Sequence, residues 1–315
     1  MTCCRPVSVP ALLLLAASLE GCYLAHVACG QLRVLAGSRP VRDVLEDPAV
    51  PASLKSKLRF ALEVREFGGR VMGLPVGNSC TRFFEVREAA VSHIVSACPK
   101  DRFEPHTWWF PVVGRVPYKG FFDRDGAEAE AADLERQRLD VARHEVAAYS
   151  TLGWFPDPLF STLLDAPEEE IAEILLHELT HARLYAAGET DFNESLATFV
   201  GRQGTLDFVR RRYGTGSALY GRAVRRFAAE ELEEERILAL YRRLDDLYRS
   251  SLPPERKIVL RDGIAGEPVN NAEILMRRRY GSLEMFRKIY EKAGGDWNLF
   301  FAAAAAAIES GNPDP

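Results

Sequence analysis

Two histidines four residues apart, His177 and His181, enclose a glutamate in the run His177-Glu178-Leu179-Thr180-His181, and Asn193-Glu194 follows downstream. On a helix, positions i and i+4 share a face, so both imidazoles can present a nitrogen to one metal ion, and the spacing suits zinc. Glu178 is rotated by about 100° from His177. That places its carboxylate beside the ion, where it can act as general base on a water. Glu189, Asp191 and Glu194 are all candidates for a third ligand. Glu194 is preferred on geometry: Asp191 or Asn193 can cap a second helix whose first turn carries Glu194 back over the metal.

The elements that must hold these groups are legible nearby. Asp165 is a candidate N-cap, Pro167 suits a first helical turn, Glu168 to Glu170 complement the positive helix end, and Gly188 is a natural stop. Ile171, Ile174, Leu175 and Ala182 flank the histidine direction, so this face is expected inside the protein. Short β-branched or aromatic runs precede it, at Phe83–Val86, Val91–Val95 and Trp108–Val113, with another strand at Leu139–Tyr149 and a charged helix at Gly126–Arg138. An edge strand ahead of the metal helix could pair with an extended peptide. Tyr149, at the end of the last strand, is a candidate to stabilise an oxyanion.

The rest of the chain reads as helix. Tyr23–Leu35 and much of Asp43–Phe67 carry apolar periodicity, punctuated by Pro40, Pro48 and Pro51. Beyond Glu194, helices are expected at Ala197–Tyr213, Ala218–Arg249 and Ala272–Ala293, broken at Gly214-Thr215-Gly216 and Leu252-Pro253-Pro254. The fold expected is α+β and predominantly helical, with a small mixed sheet packed on the metal helix in the zincin manner.

The 315 residues are 47% hydrophobic with a formal net charge of −5, which suits a folded domain and disfavours a nucleic-acid binder. No phosphate-binding glycine loop or Gly-x-Ser-x-Gly elbow occurs. Residues 1–21 have the short basic start and apolar centre of an export signal, and Leu19-Glu20-Gly21-Cys22 resembles a lipobox, although Glu20 is unusual there. The expectation is a signal peptide at 1–21, a lipid on Cys22 that tethers the chain to a membrane, and one domain over 22–315. That domain divides into a helical part (22–80), a sheet with the metal helices (81–213) and a helical end (214–315).

Several stretches together resemble the predicted aminopeptidase family of bacterial lipoproteins. They are Gly30-Gln31-Leu32, Val116–Phe122, Ala148–Phe155, His177–His181, Phe192–Ser195, Asn270-Asn271-Ala272 and Gly294-Gly295-Asp296-Trp297. The resemblance implies zinc-dependent peptide hydrolysis of the gluzincin kind, with two His and a downstream Glu as ligands and one Zn2+ per chain. By the sorting pattern of such lipoproteins, Tyr23 after Cys22 implies the periplasmic face of the outer membrane. In that oxidising compartment Cys80 and Cys98, which bracket an expected hairpin, are the candidate disulfide. Related sequences often carry a Cys pair near Trp109 and Arg115, and Cys80 and Cys98 would replace that staple. The partner implied is a peptide or protein substrate, and no other protein partner can be named. The Gly-x-Met-Glu-Asn amine-holding stretch of better-known gluzincin aminopeptidases is absent, so an envelope endopeptidase stays open. So does a catalytically silent zinc-bearing scaffold, although such a site has no need for Glu178 between its ligands.

Overall fold

The computed structural model describes Tyr23 and residues 25–110, 114–149, 151, 155–278 and 283–309. The expected signal peptide, Cys22, Val112, Val113, Gly153 and Trp154 lie outside the described residues. The chain is predominantly helical α+β, as its periodicity predicts, and among the described residues its strands form three small sheets rather than one.

Helix α1 covers residues 25–37. It is followed by β1 (Arg39–Pro40), α2 (Val41–Glu46) and α3 (Ala52–Arg70). The prolines that punctuate this stretch do so where expected, since Pro40 and Pro51 are the N-caps of α2 and α3. Next come β2 (Arg82–Phe84), β3 (Ser92–Cys98), a hairpin of β4 (Trp108–Phe110) and β5 (Gly114–Val116), and β6 (Lys119–Phe121). Helix α4 (Arg124–Arg136) is capped by Asp123, whose side chain accepts from the Gly126 N–H at 2.6 Å. Strand β7 (Asp140–Val146) then pairs along the whole of β3, with β6 on the other side of β3. One face of this sheet buries Val95, Ala97, Phe121 and Val141 against Ala127, Ala131 and Leu134 of α4.

The strand that precedes the helix of the two histidines is β8 (Leu159–Phe160), which runs parallel to β2 at the edge of the β1-β2-β8 sheet. After the short α5 (Ser161–Leu164) comes α6 (Glu168–Arg183), which carries His177-Glu178-Leu179-Thr180-His181. Its N-cap is Pro167; Asp165 ends α5 instead. Helix α7 (Thr190–Tyr213) packs along α6, and α8 (Ala218–Arg249) has the bounds its periodicity predicts. The end of the chain holds α9 (Pro254–Ala265), α10 (Asn271–Arg278), α11 (Glu284–Lys292) and α12 (Trp297–Glu309), so the single helix expected over Ala272–Ala293 is two. The main core gathers α3, α6, α7, α11 and α12, with Leu58, Ile171, Leu176, Leu196 and Phe300 fully buried. Replacing such a leucine with alanine typically costs about 2–5 kcal/mol.

The disulfide expected between Cys80 and Cys98 is not formed, and both are buried free thiols. Strands β2 and β3 belong to different sheets rather than one hairpin. Cys80 sits in the main core, while Cys98 packs with Ala142, Ala272 and Leu275 on the far face of the β6-β3-β7 sheet. Burial pushes each thiol up to about 12, which makes both poor nucleophiles.

Candidate metal and catalytic site

The site is made by two helices brought very close together. At Gly201 of α7 a Cβ would lie 2.8 Å from the Glu173 carbonyl oxygen of α6 and 3.4 Å from the His177 Cβ. Glycine therefore permits this approach, and any side chain would push the helices apart just where the first histidine stands. The remaining interface is held by charge. Glu173, one turn before His177 and 8% exposed, receives Arg202 of α7 at 3.2 Å and Arg226 of α8 at 2.7 Å. Arg202 also makes a forked pair with Glu234 at 2.7 and 3.2 Å.

Within this frame the Nε2 atoms of His177 and His181 face each other at 3.2 Å. The Glu194 carboxylate lies 3.4 Å from the first and 4.0 Å from the second. The three groups offer two imidazole nitrogens and one carboxylate oxygen, all within 4.8 Å of one another. A single proton can satisfy the nitrogen pair, but it cannot also bring both rings and the carboxylate onto one point. A cation can, and an N,N,O set fits zinc while leaving a position open.

Glu194 reaches this point by a different local route from the one its sequence suggests. Helix α7 begins at Thr190 with Glu189 as N-cap, so Glu194 is in the second turn. Asn193 caps nothing: its side-chain amide donates to the Ala186 carbonyl at 2.7 Å and accepts from the Ala186 N–H at 2.8 Å. That pairing holds residues 184–188 in an extended turn, and α6 stops at Arg183, before the expected Gly188. Asp191 points elsewhere and pairs with Arg278 at 2.6 Å.

The electrostatics are those of a shielded site. Burial, opposed by His177 but reinforced by Glu194 and Asp157, pushes the Glu178 carboxyl up to about 7. Burial and the neighbouring His177 bring His181 down to about 4. For His177, burial disfavours the charged form, but Glu194, Glu178 and Glu173 outweigh it and the pKa rises. A carboxyl poised near neutrality beside a metal-ligand set is suited to taking and returning a proton.

Glu178 lines a small cavity of about 30 Å³ with Tyr149, Asp157, Leu159 and Cys80, room for one or two waters. The expected Tyr149 is thus brought to the wall of the same cavity, packed on Phe122 and Phe160, with its hydroxyl donating to Gln31 Oε1 of α1 at 2.6 Å. Burial raises its pKa, so the phenol stays protonated and able to donate. Two further residues were not singled out from sequence. Asp157 is buried and accepts from the Thr151 N–H and hydroxyl, both at 2.8 Å. Tyr185, just past the end of α6, has its pKa raised by burial and by the charge of Glu194. Its position, four residues after His181, is the one signal that could have flagged it.

Comparison with curated proteins and with solved structures found no match. A family model described as "Putative aminopeptidase" matches residues 22–267, which is most of the chain, and the chain belongs to that family.

Proposed function

We propose that this protein is a zinc-dependent peptide hydrolase of the gluzincin type, an aminopeptidase tethered to the periplasmic face of the bacterial outer membrane through a lipid on Cys22. The observation that carries the reading is the meeting of His177, His181 and Glu194, with Glu178, next to His177 in the chain, lining a small cavity. The family match supports the peptidase class. The lipobox-like Leu19-Glu20-Gly21-Cys22 supports the tether, and among the described residues no helix is long and apolar enough to cross a membrane.

His177, His181 and Glu194 would hold the zinc. Zinc, when bound, supplies a Lewis acid that polarises the scissile carbonyl and lowers the pKa of water. Glu178 takes the proton from the attacking water and passes it to the leaving amine, which its near-neutral pKa allows in both directions. Tyr149, kept protonated by burial, would turn its one O–H from Gln31 to the oxygen on which charge develops. The test is Glu178→Gln assayed for zinc content and for peptide turnover. The expected result is one zinc per chain with hydrolysis lowered about 10²–10⁴-fold; undiminished turnover would overturn the assignment. Free and N-acetylated forms of one peptide then separate the two modes of cleavage. Hydrolysis of the free form alone is expected, and equal cleavage of both would make the protein an endopeptidase.

A further inference from the structure

Helix α1 presents two different faces. Inward, Gly30 lies against the Phe122 ring, Val34 is buried, and Gln31 holds the Tyr149 hydroxyl. Outward, Ala25, Ala28, Cys29, Leu32 and Ala36 are all exposed, Leu32 at 63%. Their spacing gathers them into one stripe about 100° wide along the whole helix. No Asp, Glu or Lys falls in it, and Arg33 stands exposed at its border.

The residue that follows the proposed anchor in the chain is fixed to the body of the protein. Tyr23, the residue after Cys22, packs on Phe110 and Phe121 at ring distances of 5.6 and 5.7 Å, and its hydroxyl donates to the Gly120 carbonyl at 2.7 Å. Phe110 closes strand β4, where Trp109 is 56% exposed and pairs across the hairpin with exposed Arg115. An exposed tryptophan next to an arginine suits the headgroup layer, where the ring sits at the interface and the guanidinium meets lipid phosphate.

We propose that α1 lies in the plane of the leaflet that receives the Cys22 acyl group, with the Ala25-Ala28-Cys29-Leu32-Ala36 stripe seated on lipid. The inference rests on the proposed acylation of Cys22. The occupant is a bilayer rather than a second copy of the chain because the stripe starts three residues after the acyl group, which must itself enter lipid. At about 1.5 Å per residue the helix runs roughly 20 Å from that point, with no acidic side chain on this face to repel an anionic leaflet. Since Gln31 on the opposite face grips Tyr149, lipid contact sets the direction in which the catalytic cavity faces.

Cys29 supplies the probe, because Cys80 and Cys98 are buried. The mature, acylated protein is labelled there with an environment-sensitive dye and reconstituted into vesicles of phosphatidylethanolamine and phosphatidylglycerol. Brominated lipid tails are expected to quench the dye severalfold more than aqueous iodide does. Leu32→Glu should reverse that ratio while the chain stays vesicle-bound through its acyl group and peptide turnover is unchanged. A dye open to iodide in the wild-type protein would overturn the proposal. So would one shielded from both quenchers, which would place protein rather than lipid on the stripe. Mass spectrometry of the same sample reads Cys22 separately: an unmodified Cys22 would remove the acylation reading, and this inference with it, whereas an acylated chain with an aqueous dye removes the inference alone.

Discussion

Helix α6 carries two constellations of ionisable groups one turn apart, and they are built on opposite terms. Around Glu173 the charges are answered within the protein, by Arg202 and Arg226, with Glu230 and Glu234 completing the network. Around His177 the partners are His181 and Glu194, and no arginine or lysine contacts either histidine among the described residues. The first arrangement closes on itself and welds α6 to α7 and α8. The second gathers lone pairs on one point, an arrangement that could hold a cation. The contrast shows how one helix can be made rigid at one turn so that the next can hold donors in a geometry they would not adopt alone.

The contrast can be broken most severely at Arg202. Arg202→Met leaves Glu173 and Glu234 short of their partner in a buried setting and should cost about 3–5 kcal/mol. The loss should already be present in denaturant melts run with chelator, because the network stands in the fold without a metal. His181→Gln should do the reverse. In chelator its stability should stay within about 1 kcal/mol of wild type. The stabilisation that zinc gives the wild type, about 2.7 kcal/mol at a hundredfold excess over Kd, should disappear. Gly201→Ala falls between the two. Its methyl group meets the Glu173 carbonyl, so a cost of about 1–3 kcal/mol is expected, together with weaker zinc binding as Glu194 is carried away from His177. Equal zinc affinity in this variant would separate the ligand geometry from the helix contact.

The smallest effect belongs to Asp207, farther along α7. Burial would raise its pKa, but Arg211 and Arg210, with the Trp297 N–H, outweigh burial and hold the carboxyl below its usual range. A depressed folded pKa means that the stabilisation is present above the unfolded value near 4 and is lost as pH falls through the lower folded value. Because both arginines are half exposed, Arg211→Ala should cost only about 0.2–1 kcal/mol near neutrality. Melts repeated below pH 4 should show the two proteins converging.

Much of this could be read from the chain. His177, Glu178 and His181 need only helical spacing, which is a local property, and α8 has clear polar breaks at both ends, so its limits were legible. That Glu194 joins the two histidines was legible but its route was not: Asn193 has the character of a cap, and only the returning chain shows that its amide serves Ala186 instead. Gly201 has no local signature at all, since its meaning depends on how near α6 comes. The cysteines misled for a related reason. A compartment and a spacing suggested a bridge between Cys80 and Cys98, but strand partnership is a non-local fact, and β2 pairs with β1 and β8 while β3 pairs with β6 and β7.

The amide of Asn193 has a bearing on how this site could change over time. It grips both backbone groups of Ala186, while the Glu189 N–H donates to the Ala186 carbonyl and the Glu189 carbonyl accepts from the Asn193 N–H. Ala186, Glu189 and Asn193 together fix where α7 starts, and exposed Ala187 and Gly188, the latter at φ +87°, stand outside these bonds. Residues could therefore be added at Gly188 with less disturbance to the candidate metal donors than an insertion between Glu189 and Asn193 would cause. The protein thus separates the part of its sequence free to drift in length from the part that must not move, and the Asn193 amide and the Glu189 backbone hold the join between them.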